Sequence, residues 1–317
     1  MTLLSLEEYI AQAGTGALLN PRVDSTFKAL FTQSSNESRE AMHAFLEAAT
    51  ERKIKEWHLS PTESPIEILD QRGVSFDIAC VFENGMAADI EMQAFRQGYD
   101  YGQRAEYQVA RLESTHLKKG DNWRQAPIVY QISVLDFNYT PAGQSQNPIS
   151  RYAMRTKNGL ELANLLNVVF IELPKLEALE DSLEHNTPIE NWGIFLKDAD
   201  KPEKQGLIQQ LAKKEKGLME AQKALSSISS DQNLWLAQYR REIFERDMRS
   251  SLEGAEEKGR AEGIAQGIEK GREEGMLNAL ANLMKSMSFS ASKAMDALGI
   301  PPDQRDDYEA RLSSLQS

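Results

Sequence analysis

The chain has 317 residues, which at roughly 100–200 residues per domain suggests about two domains. Its hydrophobic fraction of 41% and charged fraction of 26% are ordinary for a folded protein, so a sizeable core is expected and global disorder is excluded. Net charge is −12, from 36 Lys and Arg against 48 Asp and Glu, which argues against nucleic-acid binding through a broad basic surface.

No region escapes this balance. Residues 1–140 carry a net −7, residues 141–250 a net −1 and residues 251–317 a net −4. The single cysteine, Cys80, excludes an internal disulfide framework and fits a reducing cytosol. His43, His58, His116 and His185 are scattered, which argues against the usual zinc sites. No stretch reaches the ~18 apolar residues of a membrane helix. The N-terminus carries Glu7 and Glu8 where a signal peptide needs basic residues, so a cytoplasmic protein is expected.

In chain order, Phe27, Leu30 and Phe31, then Met42, Phe45 and Leu46, recur at helical spacing across 24–50, with a polar break at TQSSNES. VSFDIACVF at 74–82 and AADIEMQAF at 87–95 flank the turn ENG and read as a β-hairpin. Tyr101, Arg104, Tyr107, Arg111 and Ser114 mark a helix over 99–119. PIVYQISVLDF at 127–137 reads as a strand after the turn LKKGDNW, and NYTPAGQSQNPIS as a loop. A further β-rich run within 162–176 ends at Pro174. This order predicts a compact α/β core.

From 187 onward the pattern is helical, with candidates at 188–197, 203–226 and 231–253 and Asp231 as an N-cap. Gly259, Gly263, Gly267, Gly271 and Gly275 follow at four-residue spacing, which in a helix forms a slowly drifting bare stripe. Each interior glycine costs about 0.5–1 kcal/mol relative to Ala. Two readings stand: a helix that self-associates along the stripe, or a flexible charged linker. Residues 276–298 read as an apolar helix, followed by Gly299-Ile300-Pro301-Pro302 and a short helix to Leu312. The expected organisation is a core at 1–180, a helical extension at 181–250 and an oligomerisation region at 251–317.

The hairpin holds the arrangement with most chemical content. Glu91 and Gln93 lie two apart on the second strand and share a face, and the turn brings Asp77 back beside them. Two carboxylates with the Met92 carbonyl between them make a hard oxygen site suited to Mg²⁺ or Mn²⁺. A metal there activates water and stabilises phosphate charge. The plainer alternative is that these are ordinary hairpin acids, most of which are solvated; Asp89 and Glu83 lie in the same hairpin and decide nothing. Trp192 and Phe195 are expected to pack a helix on the sheet, and Cys80 to be a small core residue.

The run DSTFKALF from Asp24, then SFDIACVFENGMAADIEMQ, then Tyr101-x2-Arg104-x2-Tyr107 and PIVYQISVLDF, resembles the Rpn family. These are recombination-promoting nucleases, also catalogued as transposases, of the PD-(D/E)XK superfamily. The likeness continues through VVFIELPKL and PIENWGIFL and spans roughly residues 20–300. It implies a restriction-endonuclease-like α/β core with a mostly helical C-terminal region, and Mg²⁺- or Mn²⁺-dependent DNA cleavage linked to recombination, mobile elements or defence against foreign DNA. Asp77 takes the place of the first motif acid and Glu91 the second. Gln93 stands where the superfamily usually has Lys, although E-x-Q is usual in this family. Gln is neither charged nor a base, so it orients water or a phosphate oxygen at most.

Asp24 matches the family's D-x2-FK opening. It completes the metal site in one reading and caps the helix STFKALF in the other. Lys28 meets a phosphate or pairs with Asp24 at i,i+4. Arg104 and Arg111 flank the scissile DNA strand or neutralise the acidic pocket. The expected partners are DNA and further copies of the chain, with no membrane. The competing function is a catalytically degenerate nuclease fold acting as an oligomeric assembly or regulatory module. Nothing in the chain resembles the acidic triad and DNA-end-binding domains of a strand-joining transposase.

Overall fold

The structure is a computed structural model that describes residues 4–63, 75–96, 99–116, 119–141 and 144–315. Val74, the first residue of the predicted hairpin, and residues 117–118, at the end of the predicted helix, lie outside the described residues. The chain forms two compact units, Met1–Glu242 and Ile243–Ser317.

The first unit opens with α1 (Leu6–Ile10), started by a capping box in which the Ser5 hydroxyl accepts from Glu8 N and the Glu8 carboxylate accepts from Ser5 N. The helices α2 (Asp24–Thr32) and α3 (Asn36–Thr50) follow, and Ser35 caps α3 by accepting from Ser38 N at 3.1 Å. A six-stranded sheet comes next in the order β1-β2-β3-β4-β6-β5. Its strands are β1 (Trp57–Leu59), β2 (Ile78–Phe82), β3 (Ala87–Gln93), β4 (Val129–Leu135), β5 (Ile149–Ala153) and β6 (Leu166–Glu172). The central strands β3, β4 and β6 run parallel, while β2 pairs antiparallel with β3. The β2–β3 loop is Glu83-Asn84-Gly85, with Gly85 at φ 81°, the left-handed position such a three-residue loop requires.

The helix α4 (Tyr101–Ser114) lies between β3 and β4 in sequence and packs on one face of the sheet. Ala105, Val109 and Leu112 meet Ala87, Val129, Val168 and Phe170 there. The other face carries Ile78, Ala88, Ile90, Ile132 and Val169 against α2, α3, α5 (Pro188–Asp198), α6 (Gln205–Lys214) and α7 (Lys216–Ile228). Period-2 alternation along β3 divides these layers. Trp192 and Phe195 are fully buried on α5, as expected. Trp192 packs edge-on to Phe45, with centroids 5.4 Å apart, and Phe31 lies 5.2 Å from Phe45. Cys80 is buried on β2, where burial pushes its thiol pKa up and leaves it unreactive.

Three expectations need correction. The strands β1 and β5 were not anticipated; both are edge strands with mixed burial, and β5 begins inside the segment read as a loop. The single helix expected over 203–226 is two, broken at Glu215, which is extended at φ −130° and ψ 120°. The break lets Asn191 donate to the Glu215 carboxylate at 2.5 Å and brings Gly217 against α3, where a Cβ would lie 2.2 Å from Ala44 Cβ. The helix expected over 276–298 is interrupted at Ser288, which has φ 54°, and Ser290 starts a new helix by accepting from Lys293 N.

The long helix α8 (Gln232–Met287) begins where expected, with Asp231 accepting from Asn233 N at 2.7 Å. It contains the glycine repeat, so the linker reading is overturned: the stripe is helical, and a Cβ at any of its glycines meets nothing within 4 Å in the single chain. In the second unit, Leu280 packs with Ala294 and Met295 of α9 (Ala291–Ala297) and Leu312 of α10 (Arg305–Leu315). Ile300 N donates to Met295 O at 3.0 Å and Gly299 has φ 68°, a Schellman stop followed by Pro301. Among the described residues no helix is long and apolar enough to cross a membrane.

Candidate active site

The carboxyl end of β3 gathers the acids. The pairing Ile78↔Ile90 places Asp77, at the bend before β2, opposite Glu91. Met92 N donates to Asp77 Oδ2 at 3.2 Å and fixes that carboxylate at the strand end. Lys28 Nζ lies 3.0 Å from Asp77 Oδ1 and 3.1 Å from Asp24 Oδ1, so one ammonium joins two carboxylates. Asp24 and Lys28 are one turn apart on α2 and reach Asp77 from the layer on the other face of the sheet. The capping reading of Asp24 is overturned: the N-cap is Val23, Asp24 is the first helical residue, and no side chain caps this end.

Glu91 has no exposed side-chain surface and receives three donors. Arg104 Nη2 and Gln93 Nε2 donate to its Oε2 at 2.9 and 3.1 Å, and Gln108 Nε2 donates to its Oε1 at 3.0 Å. The Asp77 backbone N–H adds a further bond to this carboxylate, so its roughly four acceptor positions are taken and an incoming metal would displace a donor. Gln93 therefore orients Glu91. Arg111 is buried two turns further along α4, about 10 Å along the axis from Arg104.

Burial, and then the negative charge of Asp77, push the Glu91 pKa up to about 7, with Arg104 pulling the other way. Burial and the Asp24 carboxylate raise Asp77, opposed by Lys28. Burial opposes the charge on Lys28, but Asp77 and Asp24 more than offset it and hold its pKa above the ordinary lysine value.

Sequence reasoning passed over Asp89. It is completely buried, whereas Glu83 in the same hairpin is exposed. Burial, and then the charges of Glu91 and Asp77, hold the Asp89 pKa well above the ordinary carboxylate range, which favours its protonated form. The Gln131 amide lies beside it across the β3–β4 pair, yet neither Asp89 oxygen makes a hydrogen bond of good geometry. Behind Gln131 a chain of donors runs from Tyr101 Oη to Ser133 Oγ at 3.1 Å and from Ser133 Oγ to Gln131 Oε1 at 2.7 Å. One signal was available: strand period places Asp89, Glu91 and Gln93 on one face. Gln108, four residues after Arg104 on α4, is the other group missed.

Among the described residues no three His, Cys, Asp or Glu side chains form a group able to hold a metal. Mg²⁺ does not require one, because it is usually held by one or two carboxylates and keeps several waters. The donor chemistry fits such an ion. Asp77 and Glu91 raise each other's affinity for positive charge, and Gln108 Oε1 and both Asp89 oxygens are buried acceptors without donors.

No curated protein and no solved structure matches the chain. A model of the family described as PD-(D/E)XK nuclease family transposase matches residues 21–255, ending within α8 and short of residue 300, where the sequence resemblance ends. The match covers most of the chain and takes in every residue of the acidic cluster: the protein belongs to the PD-(D/E)XK nuclease family transposases.

Proposed function

We propose that this protein is a divalent-metal-dependent DNA endonuclease that hydrolyses phosphodiester bonds at the carboxyl end of β3. The observation that carries the reading is the buried carboxylate of Glu91 facing Asp77, inside a family of nucleases. When bound, Mg²⁺ or Mn²⁺ supplies a Lewis acid for the phosphate and lowers the pKa of water. Asp77 and Glu91 would hold it, with Asp24 one ammonium away.

The chain's own groups do the rest. Gln93, Gln108 and Arg104 fix both oxygens of Glu91, so its carboxylate enters the reaction already oriented. Lys28, held between Asp24 and Asp77, is the cation nearest the first motif acid, and it supplies the positive charge that Gln93 does not. A phosphate oxygen arriving there meets Lys28 as a point charge. The attacking water oxygen forms the new bond to phosphorus, the bond from phosphorus to the leaving deoxyribose oxygen breaks, and the proton that the water loses passes by way of solvent to that leaving oxygen.

One observation favours the second reading, a degenerate nuclease fold that works through assembly. Lys28 and Arg104 already neutralise much of the acidic cluster from within. The two readings separate in a calorimetric titration with Mn²⁺ combined with cleavage of a labelled oligonucleotide. The nuclease reading requires binding heat and metal-dependent cleavage, both lost in Glu91→Gln. Absence of both in the unaltered protein selects the assembly reading.

Cutting both strands of a duplex takes two active sites, and we infer that copies of the chain associate along the exposed glycine stripe of α8. Closed symmetric dimers are the commonest oligomers, and a bare stripe lets two helix backbones approach closely.

A further inference from the structure

Next to the acidic cluster, on the far side of Arg104, lies a cavity of about 600 Å³ lined by Arg96, Tyr99, Asp100, Tyr139, Gln144 and Tyr152. Its lining residue Tyr99 is tied to the site through Arg104, which gives Nη2 to Glu91 at 2.9 Å and Nη1 to the hydroxyl of Tyr99 at 3.0 Å. Tyr99 and Tyr152 are 43% and 44% exposed, unusual for large aromatic residues next to a packed sheet.

The walls are built. The rings of Tyr139 and Tyr152 both stand edge-on to buried Phe170, at 4.9 and 5.3 Å between centroids. Tyr139 Oη donates to Asp100 Oδ1 at 3.1 Å, and the same oxygen accepts from Gly102 N at 2.9 Å as the N-cap of α4. Gly102 is required here, because a Cβ would lie 2.2 Å from Tyr139 Oη. The aromatic surface is therefore present before any ligand arrives.

Aromatic faces flanked by an amide, a carboxylate and one guanidinium suit a nucleobase, which has two apolar faces and a polar edge. The net charge of the chain gives a second reason. At −12 it lacks the broad basic surface that usually holds DNA, and base stacking holds a nucleotide without depending on phosphate attraction. A paired base inside a duplex has both faces covered, so only an unpaired one can enter.

We propose that this cavity receives the unpaired base of a nucleotide adjoining the scissile phosphate, so that the substrate is single-stranded DNA or a duplex opened at the cleavage point. The proposal rests on the nuclease reading for the position of the phosphate. Its test does not require cleavage. Asp77→Asn protein in Mg²⁺ is titrated with a single-stranded oligonucleotide carrying 2-aminopurine, and with the same strand annealed to its complement. The expected result is a change in 2-aminopurine fluorescence with the single strand, and binding about 10-fold or more tighter than to the duplex.

Adding Tyr152→Ala is expected to abolish the fluorescence change and weaken single-strand binding about 10-fold, with Tyr152→Phe restoring both. Equal binding of single strand and duplex, no binding of either, or Tyr152→Ala behaving like its parent would each overturn the proposal. A cleaving enzyme indifferent to Tyr152→Ala loses the cavity and keeps the nuclease. Base capture without metal-dependent cleavage in the unaltered chain does the reverse.

Discussion

Asp89 sits two residues before Glu91, completely buried and without a hydrogen bond of good geometry. A buried polar group left unsatisfied costs about 1–3 kcal/mol, so Asp89 is a stability defect kept beside the site. Its folded-state pKa is raised, so folding favours its protonated form. The further cost of ionising it inside the fold is absent below the ordinary carboxylate pKa and grows as pH rises above it. Asp89→Asn is therefore expected to raise the thermal midpoint more at pH 8 than at pH 4. A gain that is larger at pH 4 would contradict this assignment.

Glu91 obeys the same sign. With its pKa pushed up to about 7, the metal-free fold loses stability as pH rises from about 4.5 through 7. A divalent ion competes with that proton. Apparent Mn²⁺ affinity should increase through pH 7 and level off above it, with proton release near pH 7 seen as a buffer-dependent heat. Gln108→Ala removes one of the groups that orient Glu91 and should weaken Mn²⁺ binding about 10–100-fold while leaving far-UV circular dichroism unchanged. These expectations belong to single side chains. The sequence made Asp77, Glu91 and Gln93 readable through strand period and the turn. Asp24, Lys28, Arg104 and Arg111 came from the resemblance and from their places on helices. Asp89 shared the strand face of Glu91 and Gln93 but its burial was not readable, and neither was Gln108, because both depend on how α4 closes over β3.

Among elements, those with strong local signals were legible. The hairpin β2–β3 had β-rich runs on either side of an Asn-Gly turn, and α4 had helical periodicity; the caps at Asp100 and Thr187 are additions of the structure. The edge strands were missed, because each is short and only partly buried, and their pairing is fixed by neighbours distant in sequence. The split at Glu215 was missed for a similar reason: tertiary contact between Gly217 and Ala44 overrides a continuous helical pattern. Gly217→Ala tests that contact and should destabilise the first unit by about 1–3 kcal/mol through overpacking, measured by urea unfolding. The glycines of α8 should behave oppositely. A Cβ at Gly263 or Gly267 meets nothing in the single chain, so Ala there should strengthen the helix by about 0.5–1 kcal/mol each. If the stripe is also where copies meet, the same substitutions should lower the mass seen in light scattering. A stiffer helix with unchanged mass would move the interface elsewhere.

For the whole molecule, an α/β core of the PD-(D/E)XK nuclease family transposases is followed in sequence by a helical C-terminal region. Removing residues 251–317 is expected to lower the oligomeric state while the core keeps its metal binding, checked by light scattering and calorimetry on one preparation. Metal-dependent hydrolysis is tested by nicking of supercoiled plasmid with Mg²⁺, with Mn²⁺ and with chelator, by the unaltered protein and by Asp77→Ala. The account predicts nicking that requires the metal and falls to background in Asp77→Ala. Cutting that survives in Asp77→Ala, or no cutting by the unaltered protein with either metal on plasmid or single strand, would contradict it.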